Sequence, residues 1–394
     1  MEILLTYDVR WARTPKGHTA FWASLDTVEY VAGLLDAAGI AVTLIEADEG
    51  LTARLAAARN RSPRALVFWL NEFTPTSCGP DVFTVSVVEQ LGMMHTGPTS
   101  AVLATGLDKE ATKQVFRRLG LPTPPSSVLR PGDDCPVDAW GTWQGHVIVK
   151  PLLQGNSRGM DASSVVPAAD AQAIRQRVQR VHRQFNEPAI VERYIGGQGA
   201  REFTVPLLIS HDRRIAPLPI TEIDLSQIPA CQGQFRFLTH DIKDEKYYLK
   251  TPADLPADTT TSIHRDVARI IREMGCTDMV RVDIRADATG LYYLEVNANP
   301  GKNRFSYLTT SAYSLGLEYG QIIAFIPYQA MLKHRLPPPP RLEQLVRPVM
   351  ALFDRFRPSP RRRSGKPASL HRRPAADSLP ASHSLRTDAP SPSH

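Results

Sequence analysis

The chain has 394 residues, of which 42% are hydrophobic and 22% charged. That balance suits a globular protein of two or three packed units and argues against fibrous, membrane-spanning and wholly disordered classes. The net charge of +6 sits at one end, because residues 336–394 hold 11 Lys and Arg against 4 Asp and Glu while the first 335 residues hold 35 against 36. The basic excess therefore gives no reason to expect a nucleic-acid partner for the globular part. Four cysteines, Cys78, Cys135, Cys231 and Cys276, stand far apart with no C-x-x-C pair, so neither a disulfide framework nor a zinc module is indicated. The amino terminus has an acid at Glu2 and only a brief apolar run before Asp8, which does not make a signal peptide. No apolar run approaches the roughly 18 residues of a membrane span, and a cytoplasmic protein is expected.

The elements begin with a short strand, Ile3 to Leu5, a helical stretch from Leu25 to Ala38 that stops at Gly39, and a second strand, Ala41 to Ile45, a β-α-β start. An apolar run at Ala65 to Leu70 and a helical run from Val82 to Leu91 continue the rhythm, so residues 1–98 read as an open α/β domain. After the turn His95-Thr96-Gly97-Pro98, a helical stretch through Lys109 and Lys113 stops at Gly120, and Pro122, Pro124 and Pro125 mark a hinge-like linker. A small α+β lobe, about 121–196, follows: the strand VIVKP, the loop QGNSRGM, a short strand at Ser164 to Val166, a helix from Ala169 to Gln184 and the strand AIVERYI. A larger lobe, about 197–335, holds strands at FTVPLLI, RVDIR and LYYLEVN, a helix from Thr260 to Met274 and a last helix near Gly320 to Leu332. From residue 336 the chain turns Pro-, Arg- and Ser-rich, with 12 of its 33 prolines after Leu336, and is expected to be largely disordered. One piece could still order, because Leu342, Leu345, Val346, Val349, Met350, Phe353 and Phe356 share a helical face. Such a helix either docks on its own protein or presents a basic surface to a membrane or partner.

The segments Arg281 to Arg285 and Leu291 to Asn297, joined by ADATG, read as a hairpin. With its turn near Thr289, Asp283 lies opposite Glu295 and Arg281 opposite Asn297 on one face, while Val282, Ile284, Leu294 and Val296 fill the other. Facing carboxylates repel unless a cation lies between them, and with an adjacent amide they form an all-oxygen set suited to Mg²⁺. The alternative is a solvated hairpin face. Lys150 ends an apolar strand and is followed by a loop carrying Gly155, Asn156, Ser157 and Gly159, one fixed charge plus backbone donors of the kind phosphate oxygens take. There is no Walker signature, and taken alone the loop is equally a plain turn.

The order of these parts, from TGPTSAVLATGLDKEATK through VIVKPLLQGNSRGM, VERYI with REFTV, and RVDIR to LEVNANPG with Ser306, resembles the ATP-grasp superfamily and within it the D-alanine–D-alanine ligase branch. The resemblance runs from about Thr96 to about Ile323. It implies an ATP-grasp fold over residues 99–335 behind an N-terminal α/β domain, with ATP and Mg²⁺, or Mn²⁺, as cofactors. It further implies that Lys113 and Lys150 hold the phosphates, that the Gly155 to Gly159 loop with Asn156 and Ser157 closes over them, that Glu192 and Ile195 meet adenine, and that Glu202 meets the ribose. Asp283, Glu295 and Asn297 would bind two metal ions, and Arg281 with the Gly301 N–H would stabilise the oxyanion. Lys246, beside Tyr247, would match the substrate-loop lysine, with Lys243 as the alternative, and Ser306 would help hold the second substrate's carboxylate. A homodimer is also implied.

The chain departs from the family where the first substrate binds. In place of an acidic serine-containing stretch after the first strand it has Ala20-Phe21-Trp22-Ala23-Ser24-Leu25, and in place of H-G-x-x-G-E-D-G it has Leu70-Asn71-Glu72 and Cys78-Gly79-Pro80-Asp81. An ammonium group needs a carboxylate or several acceptors, so D-alanine is disfavoured in the first site unless Asp26, Glu29 or Glu72 takes over. The expectation is an ATP-dependent ligase that joins a small-molecule carboxylate to an amino acid or other amine through an acyl phosphate. A D-alanine–D-alanine ligase proper, a small-molecule kinase on the same fold and a non-catalytic nucleotide-binding protein are the alternatives.

Overall fold

The computed structural model describes residues 1–8, 25–76, 79–133, 140, 143, 145–228, 235–239, 242 and 250–356. Residues 1–356 form one compact unit. Its first part follows the chain as β1 (Glu2–Tyr7), α1 (Leu25–Ala37), β2 (Ala41–Glu46), α2 (Leu51–Arg61), β3 (Leu66–Trp69), β4 (Phe73–Thr76), β5 (Gly79–Phe83), α3 (Thr84–Gln90) and β6 (Met94–His95). The strands β2, β1, β3 and β6 make a parallel sheet in that order. Ile3, Leu4 and Leu5 are consecutive and fully buried, as a central parallel strand covered on both faces requires. Ile3 and Leu5 face α1, and Leu4 faces α2. Val82 belongs to a β4–β5 hairpin, and the helix starts only at Thr84.

Next come α4 (Ser100–Leu107), α5 (Lys109–Arg118), β7 (Ser126–Leu129), β8 (His146–Pro151), β9 (Val165–Pro167), α6 (Ala171–Phe185) and β10 (Ala189–Arg193). Asp108 caps α5 by accepting from the Glu110 and Ala111 N–H groups at 2.9 and 3.0 Å, which leaves Lys109 in the first turn. The second sheet is antiparallel, in the order β7-β10-β8-β9, with α6 packed on one face.

The remainder holds β11 (Arg201–Ile209), β12 (Ile215–Pro217), β13 (Thr221–Ile223), β14 (Lys250–Pro252), α7 (Ala257–Met274), β15 (Asp278–Asp287), β16 (Gly290–Asn297), α8 (Tyr307–Tyr313), α9 (Tyr319–Lys333) and α10 (Pro340–Arg355). The third sheet runs β14-β13-β11-β15-β16, and β12 pairs with β11. In the β15–β16 hairpin Asp283 faces Glu295 and Arg281 faces Asn297, as the sequence suggests, but a bulge interrupts the ladder between Asp283 and Ile284. One residue of β16 is therefore displaced. Tyr293 pairs with Ile284 and is buried in the core beside Val282, Ile284 and Val296. Leu294, expected in that core, instead lines a cleft next to Glu295.

The tail expected from residue 336 also needs correcting. Leu336 is buried, and α10 sets Leu342, Val346, Val349, Leu352 and Phe353 into the same core as α9, with Phe353 stacked on Phe325 at 5.7 Å between centroids. The Pro337–Pro340 run that looked like a break ends with Pro340 in the first turn of this helix, where the missing N–H costs nothing. Of the two readings of that amphipathic stretch, docking on its own protein is the one observed. Phe356, placed on the same face from sequence, is 47% exposed just beyond the helix. Residues 357–394 lie outside the described residues.

Candidate active site

The second and third sheets form opposite walls of an open cleft lined by charged side chains, the setting in which small-molecule sites are found. On the third sheet the period-two alternation of β11, β15 and β16 turns Glu202, Thr204, Asp283, Arg285 and Glu295 to one face. Thr204 donates its hydroxyl to Asp283 Oδ1 at 2.8 Å, and Asn297 Nδ2 donates to Asp283 Oδ2 at 3.1 Å and to Glu295 Oε1 at 3.5 Å. Arg281 Nη2 lies 3.3 Å from Asp283 Oδ2, and its guanidinium sits over the Tyr307 ring at 4.8 Å. Among the described residues no three His, Cys, Asp or Glu side chains converge. The oxygen set here is therefore two facing carboxylates and an amide, a donor chemistry that fits a hard divalent cation once the amide presents its oxygen.

The opposite wall is built around Glu192, on β10 and almost wholly buried. Lys150 Nζ donates to Glu192 Oε1, and Lys113 Nζ lies 3.0 Å from Oε2. Burial alone would raise the Glu192 pKa, but the two ammonium groups outweigh it and hold the carboxyl at about 2. Lys113 is fully buried, also donating to Thr123 Oγ1 and the Pro124 carbonyl at 3.0 Å each. It stands behind Glu192 and does not line the cleft, whereas Lys109 does. Lys109 Nζ donates to the Leu152 and Gln154 carbonyls at 3.2 and 2.7 Å, and burial lowers its pKa to about 8. Sequence reasoning missed Lys109. The available signal was its place directly after the N-cap Asp108, since helical side chains point toward the N-terminus and one in the first turn reaches past the helix end.

The loop after β8 has Asn156, Ser157 and Gly159 in the left-handed region. Only Gly159 needs to be glycine, because a Cβ there would stand 2.5 Å from Phe185 and 2.7 Å from Pro151, whereas one on Gly155 would meet nothing within 4 Å. Arg177, from α6, donates to the Gly159 carbonyl and to Ser164 Oγ. Ser157 lines the cleft together with Arg158, Ile195 and Glu202, while Gly155 and Asn156 do not. Gly301 follows β16, and a Cβ there would meet the Asn303 and Ser306 side chains at an ordinary contact distance of 3.8 Å each. Ser306 caps α8, accepting from the Thr309 N–H at 3.2 Å. Lys243, Lys246 and Tyr247 lie outside the described residues, as do residues 20–24 and Cys78.

Of the three acids considered for the first substrate, Asp26 and Glu29 are exposed on α1 and Glu72 is half-buried after β3. Burial raises the Glu72 pKa to about 7, with Lys302 opposing the shift. Lys302, one residue past Gly301, donates to Asn299 Oδ1 and lies 4.9 Å from the centroid of Trp69, and burial lowers its pKa to about 8. Asn71 is structural, tied to Thr6 and Thr84 at 2.8 and 2.6 Å.

A family model described as the D-ala D-ala ligase C-terminus matches residues 115–326. The D-alanine–D-alanine ligase of Ralstonia pickettii is 28% identical over 264 residues, 65% of this chain and 72% of that protein. The ligase of the same name from Burkholderia cenocepacia is 32% identical over 240 residues, 59% of this chain and 69% of that one. Among solved structures, D-alanine–D-alanine ligase from Bacillus anthracis superposes with a TM-score of 0.63 at 18% identity, covering 85% of this chain and 99% of that one. Its ATP complex gives 0.62 at 19% identity over the same shares.

Proposed function

The chain belongs to the D-alanine–D-alanine ligase family and is an ATP-dependent carbon–nitrogen ligase of the ATP-grasp fold, and from that premise we propose that it activates a carboxylate as an acyl phosphate and passes the acyl group to an amine, using a first-substrate site rebuilt around Glu72 and Lys302. The observation that carries this reading is the single face on which Asp283 and Glu295 oppose each other, across the cleft from Lys109 and Lys150. Asp283, Glu295 and Asn297 would hold two Mg²⁺ ions, and Mn²⁺ suits the same oxygens. Bound there, such ions neutralise the charge of the transferring phosphoryl group.

Lys109 and Lys150 grip the phosphates from the other wall, which gives Lys109 the role that the resemblance assigned to Lys113. Lys113 instead fixes Glu192, whose carboxylate accepts from the adenine amino group while the Ile195 backbone meets the ring. Glu202 accepts from the ribose, and the loop through Ser157 closes over the phosphates to exclude water from the acyl phosphate. Arg281 and the Gly301 N–H receive the oxyanion of the tetrahedral intermediate. Ser306 and a loop lysine, Lys246 or Lys243, hold the carboxylate of the incoming amino acid.

A second reading, a D-alanine–D-alanine ligase proper, is favoured by the half-buried Glu72 as an acceptor for a substrate ammonium. ADP release measured over a panel of carboxylates, with and without amines and with hydroxylamine to trap the acyl phosphate, separates the two. D-alanine as the preferred sole substrate would establish the second reading. Asp283→Asn and Glu295→Gln should each lower ADP release at least a hundredfold, and undiminished release in either variant would overturn the assignment of the metal face.

A further inference from the structure

Arg285 has no part in the chemistry above, yet its guanidinium is among the most enclosed charges in the cleft. It stands directly across the β11–β15 ladder from Glu202, with Nε 3.2 Å from Glu202 Oε2 and the two side chains 6% and 16% exposed. Its face lies over the Tyr194 ring at 5.1 Å, and Nη2 donates to the Arg236 carbonyl. Three separate segments therefore hold it: the end of β10, β11, and the stretch 235–239 whose Phe237 and Leu238 also line the cleft. Two pairs further along the same ladder, on the same face, Thr204 donates to Asp283.

A lone glutamate on a sheet face rotates about its terminal bond and samples several hydrogen-bond directions. One whose Oε2 lies in an ion pair with a stacked, buried guanidinium is held toward one orientation, leaving Oε1 to accept from a ligand hydroxyl. We propose that Arg285 is a positioning residue that fixes Glu202 to read the ribose hydroxyls, so that the site discriminates ribonucleotides from deoxyribonucleotides. The proposal rests on Glu202 being the ribose acceptor. A nucleotide lacking the hydroxyl leaves a half-buried, oriented carboxylate without its donor, which is how a polar pocket rejects an analogue.

The test is equilibrium binding of ADP, 2′-deoxy-ADP and 3′-deoxy-ADP, each with Mg²⁺, to the full chain and to its Arg285→Met, Arg285→Lys and Glu202→Gln variants. The unaltered protein should favour ADP over at least one deoxy analogue by about tenfold or more. Both Arg285→Met and Glu202→Gln should compress that ratio to within about threefold, and Arg285→Lys, which keeps the charge without the planar fork, should restore part of it. Because the ratio is taken on one preparation, it does not depend on the folded fraction. A wild-type ratio in Arg285→Met with a compressed one in Glu202→Gln would overturn the role of Arg285 and leave that of Glu202 standing. An unchanged ratio in Glu202→Gln, or no preference in the unaltered protein, would instead remove the ribose reading on which the proposal rests. Should Arg285→Met not fold, an unchanged ratio in Arg285→Lys overturns it equally.

Discussion

Replacing Lys109 and Lys113 one at a time by methionine, which nearly matches their volume, should separate two functions that lie four residues apart on one helix. Lys113 sits in a fully buried ion pair with Glu192, so Lys113→Met leaves a buried carboxylate with Lys150 alone. Breaking a buried pair outright costs about 3–5 kcal/mol of stability, and with Lys150 still paired to Glu192 the loss should be about 2–3 kcal/mol. Lys109→Met removes two hydrogen bonds to carbonyls, one of which, Leu152 O, also accepts from the Lys109 backbone N–H, and should cost only about 1–2 kcal/mol. The order reverses for binding. A lost charge-assisted contact to phosphate is worth about 1.5–3 kcal/mol, roughly ten- to a hundredfold in affinity. Lys109→Met should therefore weaken ATP by that factor and leave adenosine unchanged, while Lys113→Met should weaken both by loosening Glu192. Denaturant unfolding and competitive binding of ATP and adenosine measure the two effects. An unaltered ATP-to-adenosine ratio in Lys109→Met, with a collapsed ratio in Lys113→Met, would refute the argument and return the phosphate role to Lys113.

Further outcomes follow from charge and sterics. Glu72 has a raised pKa, about 7 against an ordinary 4.5, so the folded state binds more protons than the unfolded one between those values and stability should rise as pH falls through that window. With its partial exposure the gain is about 1–2 kcal/mol, and Glu72→Gln should abolish it in thermal unfolding across pH 7.5 to 5. Glu192 acts oppositely: its carboxyl is depressed to about 2, so its contribution is intact above about 4.5 and disappears as pH falls toward 2. Gly159→Ala must place a Cβ against Phe185 and Pro151 at a φ of +75° and should cost about 1–3 kcal/mol of stability and weaken ATP binding. Gly155→Ala should be silent in both assays, and equal effects at the two positions would show that the loop is not held as described.

The hairpin face was legible because polar and apolar residues alternate over Arg281–Arg285 and Leu294–Asn297, and a one-residue slip would have turned Asp283 into the core. The bulge was not legible. The observed turn pairs Asp287 with Gly290, and counting back from it without interruption sets Asp283 opposite Leu294. Only the extra residue near Leu294 brings Glu295 into line, and no glycine or proline there announces it. The choice between Lys109 and Lys113 was hidden for another reason: both project from α5, and which one reaches the cleft depends on where the Leu152–Gln154 carbonyls pack, a contact more than forty residues away. In the C-terminal stretch the proline count over 336–394 obscured a local rule, that proline suits the first turn of a helix, and α10 also accommodates Pro348 in its interior.

The two walls of the cleft also differ in sign, and this couples the ligands to one another. The wall around Glu192 brings Lys109, Lys113, Lys150 and Arg158 against one acid, and the facing sheet brings Glu202, Asp283 and Glu295 against Arg281 and Arg285. A polyphosphate alone suits the first wall and is repelled by the second; divalent cations alone suit the second and are repelled by the first. Bound together, a triphosphate and two divalent ions carry about no net charge and satisfy both. Nucleotide and metal should accordingly raise each other's affinity by one common factor, as linkage requires. Neutralising the facing acids should erase that factor while sparing the weaker binding of nucleotide without metal, because only the attraction through the cations is lost.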